Sequence, residues 1–299
     1  MKNVEAVAAP DTAVKVSNES YWGLVIRKFR KNRLAIVSLW ILAIIVLLCI
    51  FVPLISPYGM EQTDALSREQ PPSAAHWLGT DKIGRDMFTR LFYGGRISLG
   101  VSLSVTGIQC FIGIILGSIA GYYGKMADTI IMRLCEIFMS FPFMIMCITI
   151  VAVFGSSVRT LIFALAILQW PNIARIVRGQ ILVLREQEYM EACEALGISD
   201  FRRIFRHLFP NVLAYVIVYA TLGMASAILV ETSLSFLGLG VAPPTPTWGN
   251  MITEAKDLLV IKNKWWYWIP PGICIFLSVM CFNILGDGLR DAIDPKMKR

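Results

Sequence analysis

The residue types that most often do chemistry are sparse in this sequence and form no known catalytic set. The 299 residues include two histidines, His76 and His207. The membrane spans predicted below place His76 on the outer side and His207 on the inner side of the bilayer. The two rings are therefore on opposite sides of it and cannot share a metal ion. The motifs H-E-x-x-H and G-x-S-x-G are absent. These observations argue against a metalloprotease and against a membrane-embedded hydrolase.

One pair of residues, Gly124-Lys125, has the ending of a phosphate-binding loop. Such a loop also needs an earlier glycine at a fixed spacing and a Ser or Thr after the lysine. Those two positions hold Ile119 and Met126. The sequence therefore predicts that this chain binds no nucleotide, cofactor or metal of its own, and that any nucleotide chemistry belongs to another subunit.

The densest group of charged residues lies in the segment 185–211, between two apolar runs. Apolar side chains recur in it at the spacing of one helix face, in two stripes: Tyr189, Ala192, Cys193 and Leu196, and then Phe201, Ile204, Phe205 and Leu208. Gly197 lies between the stripes, where a chain can leave a helix through a positive φ. Ser199 and Asp200 suit the start of a second helix, as a cap and a first-turn acid. The pattern predicts two helices joined at Gly197, with their apolar faces seated on another surface.

The charged side chains of this segment fall on the remaining helix faces: Glu188, Glu191, Glu194, Arg202, Arg203 and Arg206. We expect them to face water or a soluble partner. On spacing alone, the alternative is a surface loop that lies on its own membrane domain.

The run Glu191-Ala192-Cys193, followed by Gly197 and ending at Pro210, resembles the "EAA" loop of ABC-importer membrane subunits. This chain departs from the family pattern at three positions of similar modest size: Cys193 for the second Ala, His207 for the usual Ile and Phe209 for the Leu. In that family the loop is a coupling helix that docks in a groove of a cytosolic ATPase. The resemblance implies that ATPase coupling rests on the following residues: Glu191, Ala192, Gly197, Asp200, Arg203, His207 and Pro210.

Composition indicates a membrane protein, because 56% of the residues are apolar and only 16% are charged. The chain is long enough for about five to seven spans. The net charge of +7 gathers beside the apolar runs, as orientation signals do, and no aromatic and basic interleaving of a nucleic-acid-binding kind occurs. The seven cysteines contain no C-x-x-C pair and fall mostly in apolar runs. We therefore expect the lipid bilayer as a partner and exclude nucleic acid.

The apolar runs predict an all-α membrane protein with six transmembrane helices and a cytoplasmic coupling-helix loop. In chain order the expected parts are a cytoplasmic N-terminal tail at 1–33, a first transmembrane helix at 34–53, an external segment at 54–96, a core transmembrane domain at 97–290 with the coupling loop 185–211 and an external loop 237–266, and a cytoplasmic C-terminal tail at 291–299. Basic residues just before the first span mark the inner side. With six spans, both termini and the coupling loop are cytoplasmic.

Features inside the spans predict local geometry. Gly113, Gly117 and Gly121 recur every four residues and make a flat helix face that favours close contact with another helix, in this chain or in a second permease. Pro142 is expected to kink the third span and Pro171 the fourth.

Two sequence blocks predicted to lie outside the membrane indicate which subfamily of importer permeases the chain resembles. HWLGTD at 76–81 with GRD at 84–86 looks like a segment of peptide-importer permeases of the dipeptide/oligopeptide "C" type. SLSFLGLGV at 233–241, followed by PPTPTWGN at 243–250, is similar to the peptide/nickel permease subfamily. Taken alone, Trp77 also fits an interfacial anchor.

Three polar residues in apolar surroundings are candidates for lining a translocation path: Gln169, Glu231 and Asn283. An acid such as Glu231 is expensive inside a span unless it is paired or hydrated. The structural alternative for it is a carboxylate that caps a helix or loop at the interface.

The resemblance covers nearly all of residues 24–294 and implies the type I ABC importer fold and one permease half of an importer in a bacterial inner membrane. The implied partners are a homologous second permease, one or two cytosolic ABC ATPases that hold ATP and Mg, and an external solute-binding protein. The implied cargo is a di- or oligopeptide. ATP-driven closure of the ATPases would move the Glu191 helix as a rigid lever and tilt the third, fourth and fifth spans.

Three alternatives stay open. Within the family, the cargo is nickel chelate, glutathione or haem instead of a peptide. In another class, the chain is a secondary transporter without an ATPase, although we see no inverted repeat and few acids at mid-membrane depth. In a third class, it is a receptor or scaffold that transports nothing.

Overall fold

The computed structural model describes residues 21–293, and the regular elements in that range are helices. In chain order they are α1 Tyr21–Phe29, α2 Arg33–Ile55, α3 Met87–Tyr123, α4 Lys125–Ser140, α5 Phe143–Phe154, α6 Val158–Arg185, α7 Glu188–Ala195, α8 Asp200–Phe236, α9 Trp248–Ile252, α10 Leu258–Asn263 and α11 Ile269–Ile293. Residues 1–20 of the predicted N-terminal tail (1–33) and residues 294–299 of the predicted C-terminal tail (291–299) lie outside the described residues.

Helices α3 and α6 are parallel neighbours packed at close range. Their contacts advance in the same direction along both chains, in three steps: Gly113 on Ile173, Gly117 on Val177 and Gly121 on Ile181. The flat glycine face predicted from the sequence is therefore a contact within this chain. Because two parallel helices need a return crossing between them, the segment from the end of α3 to the start of α6 must run back along the bundle.

The return crossing is made by α4 and α5 together. Five helices of the described range (α2, α3, α6, α8 and the segment that contains α11) are each long and apolar enough to span a membrane, and the α4–α5 pair passes the same test with an 83° bend. The parallel packing of α3 on α6 requires this bent pair to count as the sixth span. Six spans agree with the prediction.

The bend lies where the sequence predicts a kink, but the helix breaks completely there. Phe141 is extended, with φ −87° and ψ 141°, and a new helix begins at Phe143. Proline disfavours the helical conformation in the residue before it and lacks an N–H for the helical ladder, which explains the extended Phe141. Pro171, in contrast, lies inside α6, which continues through it from Val158 to Arg185.

Helix α11 packs between α8 and α2. Gly286 lies against Thr221 of α8, and Gly288 lies against Ala35 near the start of α2. At the same end of the bundle, Val25 of α1 packs in a buried cluster with Ala214, Val218, Ala292 and Ile293. This end also carries the segment 185–211, and we call it the loop end.

The opposite end of the bundle is covered by the two blocks that the sequence singled out. The Asp86 carboxylate accepts from the Thr89 amide at 2.8 Å, which caps α3, and it contacts His76 Nδ1 at 3.0 Å. Trp248 Nε1 donates to the Leu91 carbonyl at 2.9 Å, so the second block is tied to the first turns of α3. Helix α3 begins at Met87, ten residues earlier than the core domain predicted at 97–290, because this cap supports its first turns.

An exposed ion pair joins the two blocks at the surface of the cap. Lys82 Nζ lies 2.7 Å from Glu254 Oε2. The hydrogen bond to Glu254 raises the pKa of Lys82 above its ordinary value. Both side chains are solvent-exposed, so the pair contributes little to the stability of the fold.

Candidate functional site

The segment 185–211 forms the predicted helix and glycine turn. Helix α7 ends in two reversed hydrogen bonds, from Ile198 N to the Cys193 carbonyl (3.0 Å) and from Gly197 N to the Glu194 carbonyl (2.9 Å). Gly197 has φ +67°, a left-handed conformation that glycine adopts without steric cost. A Cβ built on Gly197 would meet no atom within 4 Å. The requirement for glycine here is therefore conformational and not a matter of space.

The second helix of the segment is not separate from the fifth span. Helix α8 begins at Asp200 and runs to Phe236, whereas the sequence analysis set the coupling loop 185–211 apart from the spans. Its turn Arg203–Leu208 is π-helical, and Phe209 N bonds the Ile204 carbonyl. Pro210 lacks an N–H and clashes with the preceding turn of an ordinary α-helix. The wider turn just before it lets the helix pass the proline without ending.

The apolar stripes are only partly covered by this chain. Cys193 and Leu208 are buried, as is Met190, which lies outside the predicted stripe. Four large side chains of the stripes stay exposed: Tyr189 at 40% exposure, Leu196 at 79%, Phe201 at 71% and Phe205 at 54%. We call the last three the apolar ridge. The Phe201 and Phe205 rings lie 4.5 Å apart. Exposed apolar side chains that cluster in this way mark a surface that interacts with a protein or with a membrane.

The charged faces of the segment do not all point outward, and the prediction that Arg203 faces water or a soluble partner is wrong. Its side chain is only 16% exposed and bonds Asp200 Oδ1 at 2.6 Å and Glu194 Oε2 at 3.1 Å. The guanidinium also lies over the Tyr122 ring, 5.8 Å from its centroid. Arg203 faces the end of α3 because an aromatic face and two carboxylates are available there.

The remaining residues predicted for ATPase coupling differ in exposure. Glu191 and Ala192 are exposed on α7, and Pro210 is exposed on α8. His207 is half-buried, and Asp200 is exposed although its carboxylate is bonded. The structure thus brings Asp200 and Arg203 into one bonded cluster, while Glu191, Ala192 and Gly197 remain on the outer surface of the loop.

Tyr122 and Arg185 belong to this cluster, although the sequence reasoning missed both. Tyr122 donates its hydroxyl to Asp200 Oδ1 at 2.8 Å, across 78 residues of sequence. Arg185 Nη1 donates to the Tyr122 carbonyl at 3.0 Å. No spacing pattern in a single sequence connects such distant positions. A tyrosine at the end of a glycine-faced span would have been the only signal.

The structure places Glu231 inside the protein. The residue is completely buried, and its carboxylate accepts from Ser235 at 2.8 Å and from Ser98 at 3.3 Å. The Ser98 hydroxyl in turn accepts from the Trp248 amide at 3.1 Å. The acid therefore joins α3, α8 and α9. This geometry supports a structural role for Glu231, although the carboxylate joins helices inside the protein and does not cap a helix or loop at the interface.

Gln169 and Asn283 line two grooves on either side of one face of α8; Gln169 is half-buried and Asn283 is exposed. Gln169 lines a groove with Asn172 and Ser226, and its Nε2 is buried without a hydrogen-bond partner among the described residues. Asn283 is exposed and lines a second groove together with Leu229 of α8. Between the two grooves runs the exposed face of α8, which carries Ser226 and Leu229. Glu231 is not part of this face.

Metal-binding geometry is absent from the part of the chain that the structure describes. Among residues 21–293, no group of three or more His, Cys, Asp or Glu side chains could hold a metal ion. These surfaces are suited to binding: an exposed apolar ridge lies beside acidic residues at the loop end, and the grooves along α8 are lined mainly by apolar side chains with a few polar ones.

Comparison with known proteins assigns the family. Residues 113–299 match the family described as binding-protein-dependent transport system inner membrane component, and residues 20–72 match the N-terminal TM domain of oligopeptide transport permease C. The chain is 45% identical over 280 residues to the dipeptide transport system permease protein DppC of Alkalihalophilus pseudofirmus, covering 93% of this chain and 91% of that one. It is 40% identical over 297 residues to the oligopeptide transport system permease protein OppC of Bacillus subtilis, covering 98% and 96%.

A solved structure with the same fold is a chain of the MetNI methionine ABC transporter in inward-facing conformations. The TM-score is 0.56 at 18% identity, and the match covers 70% of this chain and 98% of that one. The likeness confirms the predicted type I importer fold. Taken together, the family match and the relatives show that this chain belongs to the inner membrane components of binding-protein-dependent ABC transport systems, as a non-catalytic, multi-pass permease subunit in a bacterial inner membrane.

Proposed function

We propose that this chain forms one half of the translocation path of an ATP-driven importer for di- or oligopeptides. Its partners are a homologous second permease, one or two cytosolic ABC ATPases that bind ATP and Mg, and an external solute-binding protein. The peptide cargo is supported by the relatives named dipeptide and oligopeptide permeases and by the N-terminal match to oligopeptide permease C. The observation that carries the role as an ATPase-coupled subunit is the apolar ridge at the loop end.

The loop end faces the cytoplasm in this proposal. Helix α1 lies at that end, because Val25 packs with Ala214 and Ile293. Five basic residues follow in and after α1: Arg27, Lys28, Arg30, Lys31 and Arg33. A cluster of positive charge beside a first span favours the cytoplasmic side. Both termini and the segment 185–211 then share the compartment of the ATPases.

The apolar ridge is the surface that enters the ATPase groove. Leu196, Phe201 and Phe205 project from the two arms of the Gly197 turn, and burying them against a partner removes apolar surface from water. Glu191 supplies the charged contact beside the ridge. Removing one partner of such an interfacial charge pair costs about 2–5 kcal/mol when the other charge is left buried.

Movement of the docked ridge passes directly into the membrane domain. Helix α8 continues from Asp200 to Phe236, so the arm that carries Phe201 and Phe205 is the first part of the fifth span. A displacement of the ATPase groove therefore tilts α8 as a rigid body. The face of α8 between the grooves of Gln169 and Asn283 changes its access as the helix tilts.

Co-expression of the complete transporter tests the docking. We expect Phe201→Ala and Glu191→Ala to lower the amount of ATPase that co-purifies with the permeases and to lower dialanine-stimulated ATP hydrolysis, with membrane insertion intact. The matched control is Phe111→Ala, because Phe111 on α3 is exposed to a similar extent, 67% against 71% for Phe201. Normal co-purification and stimulated hydrolysis in both loop variants would refute the docking role.

Cargo and energy source are separated by uptake measurements in liposomes. Import of dialanine that needs ATP and the solute-binding protein supports the proposal. Import of glutathione that added dialanine does not inhibit would assign the cargo to glutathione. Uptake by the purified chain alone, driven by an ion gradient, would support a secondary transporter instead.

A further inference from the structure

A cluster of hydrogen bonds joins the segment 185–211 to a helix that is remote from it in sequence. Tyr122, near the end of α3, donates its hydroxyl to Asp200 Oδ1 at 2.8 Å. Arg203 Nη2 donates to the same oxygen at 2.6 Å, and Arg203 Nη1 reaches Glu194 Oε2 at 3.1 Å. Residues from α7, α8 and α3 are thus connected through two carboxylates and one guanidinium.

Tyr122 is held on three sides, which makes it the fixed point of the cluster. Its hydroxyl bonds Asp200, the Arg203 guanidinium lies over its ring at 5.8 Å, and its backbone carbonyl accepts from Arg185 Nη1 at 3.0 Å. The side chain is buried, whereas that of the next residue, Tyr123, is exposed. The side chain therefore cannot turn away without breaking its contacts to α8, and the backbone of the residue is tied separately to Arg185 of α6.

The helices beyond Tyr122 move with it. Helix α3 packs along α6 through its glycine face, and an additional α3 side chain there would collide with the α6 backbone. Helix α4 is tied to α6 by a bidentate ion pair. Arg178 Nε lies 2.5 Å from Asp128 Oδ1, and Arg178 Nη2 lies 2.6 Å from Asp128 Oδ2. Bidentate arginine–carboxylate pairs fix orientation as well as distance. A force on Tyr122 therefore reaches α3, α4 and α6 together.

We propose that Tyr122, Asp200 and Arg203 form a latch that transmits movement of the loop to α3. The proposal rests on the docking of the loop to an ATPase. Without the latch, movement of the ridge would reach α3 only indirectly, through the packing of α6 on its glycine face. With it, α3 is displaced at the same time, and its partners α4 and α6 move as one body. The three side chains are positioning residues, since they act on helix positions and do not touch the solute.

Tyr122→Phe tests the latch most directly, because it removes the hydroxyl and keeps the ring under Arg203. The complete transporter is reconstituted in liposomes, and the dialanine imported per ATP hydrolysed is measured. We expect this ratio to fall roughly three- to tenfold, the factor that corresponds to one hydrogen bond of ordinary net strength. The ATPases should still co-purify, because Tyr122 lies behind the ridge.

The matched control is Tyr123→Phe. The Tyr123 hydroxyl makes no hydrogen bond within residues 21–293, and the edge contact between the two tyrosine rings, at 5.2 Å, survives the substitution. We expect this variant to import as much dialanine per ATP as the unaltered transporter. A fall as large as that of Tyr122→Phe would overturn the proposal, because it would show a general weakness of this helix end.

A double-mutant cycle separates a latch from two independent contacts. If Tyr122 and Asp200 act as one unit, adding Tyr122→Phe to Asp200→Ala causes little further loss of import per ATP. Independent, multiplying losses would overturn the latch, as would a Tyr122→Phe transporter with unaltered import per ATP. The co-purification assay tests the docking separately from the latch. If no ATPase co-purifies with the unaltered permease, the proposed docking of the loop is refuted, whatever the effect of Tyr122→Phe.

Discussion

Gly197 sets the angle between the two arms of the loop through its backbone alone. Its φ is +67°, and the space around its α-carbon is open to 4 Å. A left-handed conformation costs an ordinary L-residue about 1–2 kcal/mol, and β-branched residues tolerate it worst, whereas asparagine adopts it more readily. The size of a replacement is therefore less important than its φ preference.

We accordingly expect Gly197→Val to lower dialanine-stimulated ATP hydrolysis strongly and Gly197→Asn to lower it little. Strain in the valine variant changes the angle at which the apolar ridge meets its partner. ATP hydrolysis by the purified transporter, with and without dialanine, measures the effect, and the amount of permease in the membrane serves as the control. Equal losses in both variants would show that any side chain at this point interferes with docking.

At this scale the sequence predicted the turn at Gly197 and missed the direction of Arg203. A positive φ at a glycine between two helical stripes is a local property, so it can be inferred from neighbouring residues. The orientation of Arg203 depends on Tyr122, which lies 81 positions away in the printed numbering and comes near it only after α3 and α8 have packed. Helical periodicity grouped Arg203 with Arg202 and Arg206, both of which are exposed.

Among the elements, the pair of α3 and α6 depends most on a small residue. A Cβ on Gly117 would lie 2.5 Å from the Ala174 carbonyl oxygen and 2.9 Å from Val177 Cβ. We expect Gly117→Val to force the helices apart and to destabilise the protein by about 1–3 kcal/mol or more, as overpacking of an interior does. The thermal stability of the purified permease in detergent measures the loss.

Gly107 is a control in the same helix. A Cβ there would meet nothing within 4 Å, so Gly107→Val leaves the α3–α6 contact intact and tests only the intrinsic effect of valine in a helix. The close packing of α3 on α6 would be contradicted if both valine variants unfolded at the same temperature as the unaltered protein.

The limits of sequence-based inference at the level of elements lie at the prolines. Pro142, Pro171 and Pro210 all signal an interruption, yet one breaks a span, one lies inside α6 and one follows a π-helical turn. Proline removes a hydrogen bond in each case, but neighbouring helices decide whether the chain bends. For this reason the six spans were predictable, whereas the 83° bend and the continuity of α8 with the loop were not.

The whole molecule has one covered end and one side with an exposed helix face. At the covered end, Trp248 and Asp86 tie the two external blocks to α3, and the buried Glu231 joins the same elements from inside. The exposed face of α8, between the grooves of Gln169 and Asn283, remains open in this single chain. This face carries Ser226 beside Leu229, and in the proposed function it is the surface at which the second permease completes the path.

Cysteine labelling of the assembled transporter tests which surface the path follows. In a background without the native cysteines, we expect Ser226→Cys on the open face of α8 to react with a membrane-impermeant maleimide. The reaction should change in rate when ATP is added, because the access of this face switches with the tilt of α8. Leu103→Cys is the control, since Leu103 on α3 is exposed in the described structure and apolar neighbours suit it to lipid; thiols in hydrocarbon ionise poorly and react slowly. Rapid labelling of Leu103→Cys with slow labelling of Ser226→Cys would place the path on the α3 side and remove Gln169 and Asn283 from it.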